Sequence, residues 1–136
     1  MAGTLTVDTL KSGLSTPTVF QNTSGTEIGQ LARSWINYNG GATPAIRASF
    51  NVSSVTKNTT GDYTHNFSNA LADANFGVVG TTQFDTSGST ASAYLMGINI
   101  AHITNSQTTT SVRYWGRYGA AIALYDQYTI ALTINR

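Results

Sequence analysis

From Thr43 onward apolar and polar positions alternate with a period of two, the signature of half-buried strands rather than helices. Ile46, Ala48, Phe50 and Val52 fall on one face of a first run, with Arg47, Ser49 and Asn51 on the other. Residues 57–62, KNTTGD, predict a chain reversal, after which Tyr63, His65 and Phe67 form the stripe of the returning strand. Phe76 to Val79 reads as a short buried strand, and residues 86–90, TSGST, as a loop facing solvent or ligand. In the next run Tyr94, Met96, Ile98, Ile100 and His102 are the core candidates, opposite Ala93, Leu95, Gly97, Asn99 and Ala101. The clearest strand is the last, YTIALTI at residues 128–134. Helical character is confined to SNALADAN at residues 68–75, long enough for one turn and better read as a crossover loop. Many short strands at close spacing predict an all-β domain, a β-sandwich or jelly-roll-like fold.

The pattern changes before residue 31. Residues 1–30 offer only Leu5, Val7, Leu10, Leu14, Val19, Phe20 and Ile28 as sizeable apolar groups, too few to close a core. Leu5 and Val7 alternate with Thr4 and Thr6 as on a short strand, and turn residues follow at 11–13, 15–17 and 22–25. The chain therefore divides into an extended N-terminal segment, residues 1–30, and a β-sandwich domain, residues 31–136. An extended segment of this kind needs a partner surface, and Leu5, Val7, Leu10, Val19 and Phe20 are its candidate contacts for oligomerisation.

Composition narrows the function classes. With 136 residues the chain has one domain's length. Only 10% of residues are charged, whereas 22 are threonine, 13 serine and 11 asparagine, so the surface is neutral and rich in hydroxyls and amides. A net charge of +1, with basic residues scattered from Lys11 to Arg136, argues against nucleic acid or an anionic membrane as partner. A near-neutral domain has little self-repulsion and suits an assembly. There is no cysteine, hence no disulfide or thiolate chemistry. Neither a secretory signal nor a membrane-spanning run is present, and a soluble, cytoplasmically made product is expected. The N-x-S/T triplets at Asn22, Asn51, Asn58 and Asn66 follow from the Thr- and Asn-rich composition.

Catalytic chemistry finds few candidates. A glycosidase needs two carboxylates across one groove. Asp62, Asp73, Asp85 and Asp126 all fall in predicted turns, where side-chain bonds to the backbone account for them. His65 and His102 lie within strands, no metal-binding spacing or cofactor fingerprint occurs, and Gly40, Gly41, Gly116 and Gly119 fit turns and bulges. No catalytic residue, metal or cofactor is assigned, and no enzyme is expected. The concentration of Tyr114, Trp115, Arg117 and Tyr118, with Tyr125 and Tyr128 close behind, is the candidate ligand or interface region. Such side chains stack on sugar faces and bond their hydroxyls, and they equally supply hot spots between proteins. On a strand, Tyr114 and Tyr118 lie opposite Trp115 and Arg117, so one pair can be core and the other contact.

WINYNG, AIRASFNVSSVT, GDYTHNF and ALADANFGVVG, between Leu31 and Val79, resemble the module that recurs in tail-fibre proteins of marine and freshwater phages, especially those infecting cyanobacteria. The opening TLTVDTLKSG is similar to the starts of fibre proteins of the same group, whose N-terminal segment faces the virion. The resemblance implies a virion structural protein, homotrimeric, that contributes to attachment to the bacterial host and is anchored to other virion proteins through residues 1–30. A host-surface glycan or protein is then the expected external partner. Fibre proteins of the group commonly carry the module within a longer chain with its own shaft. The alternative is therefore a capsid decoration (cement) protein or a tail or baseplate adaptor without receptor binding.

Overall fold

The computed structural model describes residues 19–83, 96–101, 103–118 and 123–135, and among these every regular element is a strand. Two compact units separate by their internal contacts, Met1–Leu31 and Ala32–Arg136. In the first, β1 (Val19–Gln21) and β2 (Glu27–Gln30) pair as an antiparallel hairpin. Asn22 closes its turn by accepting from the backbone N–H of Ser24 and Thr26 at 3.0 and 2.9 Å. Leu5, Val7 and Leu10 lie outside the described residues, as do the 86–90 loop, Asp85 and His102.

The second unit is a β-sandwich. One sheet has the order β4-β3-β11-β7, from β3 (Ser34–Asn39), β4 (Ala45–Phe50), β7 (Gly77–Gln83) and β11 (Thr129–Asn135). The other contains β5 (Val52–Thr59), β6 (Asp62–Phe67), β8 (Met96–Ile100), β9 (Ser111–Tyr118) and the short β10 (Ala123–Leu124). There, β5 pairs with β6, β6 with β9, and β9 also with β8 and β10, all antiparallel.

The period-two stripes decide what faces inward. Ile36 and Tyr38 from β3, and Ile130, Leu132 and Ile134 from β11, meet Tyr63 and Phe67 from β6 and Val112 and Tyr114 from β9 in one buried cluster. Side chains of this size each contribute about 1.5–3 kcal/mol when removed from water. Leu71 and Phe76 from the loop between β6 and β7 close one end, Leu71 N–H bonding to Thr109 O at 2.7 Å. That loop contains no helical turn, as the sequence reading preferred.

Several polar groups inside the sandwich are paired across it. The Tyr38 and Tyr114 hydroxyls, from opposite sheets, bond to each other at 2.7 Å, and burial pushes both phenols above their ordinary pKa. Ser34 from β3 meets His65 from β6 at 3.1 Å. Asp126, in the connection from β10 to β11, takes the Lys57 ammonium, the Gly61 N–H at 2.9 Å and the Tyr63 hydroxyl at 2.8 Å. Gly61 turns β5 into β6 with φ of 66°, and a side chain there would collide with the backbone of Tyr125 and Leu124.

The first run does not keep one face. Phe50 ends β4 opposite Trp35, and Val52 opens β5 in the other sheet opposite Phe67. Asn51 between them has φ of 55°, a conformation Asn tolerates. Its side-chain amide donates to Arg33 O and Asn69 O, both at 3.1 Å, and its oxygen accepts from Asn69 N–H at 2.8 Å. This corner turns Phe50 outward and Val52 toward the core. β7 likewise differs from a buried strand: among the described residues it edges its sheet, and it exposes Val79.

Candidate functional site

The side chains of β9 that point away from the core are Ser111, Arg113, Trp115 and Arg117, alternating with buried Val112, Tyr114 and Gly116. They share the outer face of the second sheet with Asp62 and Thr64 from β6 and Asn99 from β8, since Trp115 pairs with both Asp62 and Asn99 and Arg113 with Thr64. Arg113 grips Asp62 in a fork, Nε to Oδ1 at 2.8 Å and Nη2 to Oδ2 at 2.6 Å. Asn58 adds a bond to Asp62 Oδ1 and another to Thr64 Oγ1, each at 3.0 Å. Burial raises the Asp62 pKa, but Arg113 and Asn58 outweigh it and hold the group below its usual value. Beyond this pair, the Arg117 guanidinium lies over the Trp115 ring, 4.9 Å from its centroid. Further along the face Asn66 donates to Ser54 and Thr56 hydroxyls. A hollow of about 500 Å³, open to solvent and lined by Ile100, Ala101, Ile103, Thr104 and Ser106, adjoins the end of β8.

This placement divides the sequence candidates. Tyr114 is not a surface residue: it is fully buried, opposite Tyr63 in register and bonded to Tyr38, so its role is packing. Trp115 and Arg117 are on the outer face and half-buried. Tyr118 is described through its backbone pairings with Met96 and Ala123. Val19 and Phe20 sit in the hairpin of the first unit, with Phe20 exposed. Gly116 is neither turn nor bulge but a mid-strand residue whose missing side chain leaves room for the Gln127 amide.

Sequence reasoning missed Arg113 and Asp62. The period that separates Tyr114 from Trp115 already aligned Arg113 with Trp115 and Arg117, whereas the Asp62 pairing spans 51 residues and had no local signal. Among the carboxylates described, Asp126 is held by Lys57, and Asp73 accepts from Asn75 N–H at 2.8 Å as a turn residue should.

The first sheet has a different outer face. Val79, Thr133, Trp35 and Phe50 stand side by side across β7, β11, β3 and β4, and Val79 is 65%, Trp35 39% and Phe50 54% exposed. The four strands carry one charged side chain, Arg47, whose guanidinium lies over Tyr128, 4.8 Å from the ring centroid, and donates to Asn37, Thr129 and Tyr128 O.

No family model matches the sequence, and no curated protein matches it. Among solved structures the chain resembles the phiAB6 tailspike, solved in complex with three-repeat oligosaccharides of Acinetobacter baumannii surface polysaccharide. The superposition has a TM-score of 0.51 at 15% identity and covers 97% of this chain. The chain spans 30% of the tailspike chain's length, and the likeness is one of fold.

Proposed function

We propose that this chain is a virion protein of a bacteriophage tail, a tail-fibre-like homotrimer that contributes to attachment to the bacterial host by contacting surface glycan. The observation that carries the reading is the fold likeness to a tailspike over nearly the whole of the sandwich and hairpin. The sequence resemblance of residues 31–79 to tail-fibre modules, including those of cyanobacterial phages, points the same way. The outer face around Trp115 supports a glycan contact: two guanidiniums, one of them lying over the Trp115 ring, and a field of amides and hydroxyls match the hydrogen bonding that sugars require. The face bearing Trp35, Phe50 and Val79 supports self-association, because a partly apolar sheet face with a single charged side chain, Arg47, gains by burial and meets little charge repulsion from an identical copy. In this proposal the N-terminal segment engages other virion proteins, and the protein binds without catalysis.

Adsorption of the labelled protein to host cells, with competition against phage adsorption, tests the reading. Saturable binding that blocks the phage is the expected result. Absence of binding, together with hundreds of copies per virion spread over the head, would replace it with the decoration-protein alternative.

A further inference from the structure

The two guanidiniums of the Trp115 face are held in different ways. Arg113 is neutralised by Asp62 through two short parallel bonds. Arg117 has no such acid: among the described residues no carboxylate pairs with it, and its contact is the Trp115 ring. The other ionised groups of that sheet cancel in pairs, Lys57 with Asp126 and Asp62 with Arg113, so Arg117 is its one uncompensated charge among the described residues. A ring beneath a guanidinium fixes its plane while consuming none of its hydrogen bonds, and removes part of the entropy cost of ordering it on a ligand.

The Nε atom of Arg117 is buried and has no acceptor. Nε is out of a ligand's reach, and the two Nη groups, which make no hydrogen bond among the described residues, are the donors left for one. A planar fork of this kind pairs with a carboxylate, one-to-one and in two parallel bonds. Neutral sugar would satisfy the amides and hydroxyls of the face and leave this charge unanswered.

We propose that the Trp115 face recognises an acidic polysaccharide, with the carboxylate of an acidic sugar residue on the Arg117 guanidinium, Trp115 acting as the positioning residue that holds that guanidinium in plane. This rests on the attachment reading above and deepens it. Neighbouring Asn99, Thr64 and Arg113 then offer donors and acceptors to the uncharged hydroxyls of the same chain.

The test uses the full chain and polysaccharide extracted from bacteria to which the protein adsorbs, in three forms: native, with its carboxyls reduced to alcohols, and with its phosphates removed. Affinity is measured by calorimetry at low and high salt. Carboxyl reduction is expected to weaken binding about tenfold or more. Arg117→Gln should reproduce that loss on native polysaccharide, flatten the salt dependence and weaken binding to the reduced form far less. Trp115→Ala should weaken binding to the native form, and Trp115→Phe, which keeps a ring under the guanidinium, should restore most of it; a merely structural tryptophan would change both polysaccharides alike. Equal affinity for native and reduced forms would overturn the acidic-sugar inference and leave attachment standing. Loss on dephosphorylation instead of reduction would overturn it in favour of a phosphate ligand. A protein that adsorbs to no cells removes the attachment reading, and this inference with it.

Discussion

Lowering the pH from 7 to 4.5 at constant ionic strength is expected to destabilise the sandwich through His65. Its ring is fully buried on β6, 5.2 Å from the Phe67 ring. Ser34 Oγ has one proton and two backbone carbonyls within reach, Phe50 O at 3.1 Å and Asn51 O at 3.3 Å, so it accepts from His65 Nε2–H. Nδ1 is then the unprotonated nitrogen, and it is buried without a partner. Protonation would place a second N–H where no acceptor stands, and burial accordingly lowers the pKa from 6.5 to about 4. Between these values the unfolded chain binds a proton that the native chain refuses, so stability falls as pH falls. At about 1.4 kcal/mol per pH unit the loss amounts to roughly 2.5 kcal/mol by pH 4.5. For a domain of this size that lowers Tm by about 10 °C. Urea unfolding at half-unit pH steps measures the slope, and His65→Gln, whose amide can still donate to Ser34, should abolish it. An unfolding free energy that is flat between pH 6.5 and 4.5 would refute the reasoning, as would a His65 ring that titrates by NMR near its ordinary value. Below that window the loss continues, because Asp62 and Asp126, held below their usual values by Arg113 and Lys57, are protonated as pH falls through their folded pKa.

Three further outcomes are expected. Tyr38→Phe and Tyr114→Phe each strand a buried hydroxyl and should each cost about 1–3 kcal/mol, whereas the double variant should cost less than their sum, a coupling that a urea double-mutant cycle reads. Gly61→Ala meets both a left-handed backbone and the Tyr125 and Leu124 main chain, and should lose about 3 kcal/mol or fail to fold, judged by circular dichroism. Phe50→Asp or Val79→Asp should dissociate the oligomer in sedimentation while leaving the circular dichroism spectrum of the sandwich intact; an unchanged oligomer would remove that face from the interface.

Where alternation is undisturbed, residues and fold agree: Ile130, Leu132 and Ile134, and likewise Tyr63, His65 and Phe67, are buried as their spacing requires. Alternation fails at Asn51, because its left-handed turn is held by Arg33 and Asn69, one remote in sequence and the other reached only through the next hairpin. Strand parity separates Tyr114 from Trp115 but is symmetric about the sheet. Which side is inward is fixed by the second layer, where Tyr38 supplies the hydroxyl that Tyr114 needs. Val79 looked buried because short apolar runs suit central strands, yet among the described residues β7 has a sheet partner on one side only. Asp62 was legible as a turn residue and not as half of an ion pair, since its partner is set by the β6 and β9 register.

The two outer faces of the sandwich answer to opposite demands on charge. A contact among identical subunits brings each side chain close to its own copies, so any uncompensated charge is repeated and opposes assembly. The face formed by β4, β3, β11 and β7 meets that constraint in part: its one guanidinium, Arg47, has no acid among the described residues, but it lies over Tyr128 and its donors are spent on three oxygen acceptors. The Trp115 face meets it less well, because Arg117 lies over a ring but makes no side-chain hydrogen bond to an acceptor among the described residues. Burying that charge against copies of itself would cost desolvation without a pairing gain, while a ligand bearing the complementary charge supplies one. If the Trp35 face is the proposed contact between copies, the same rule leaves the Trp115 face for a different molecule. Introducing a charge should consequently be far more damaging to assembly at Phe50 than at Asn99, although both positions are exposed and both lie on outer sheet faces.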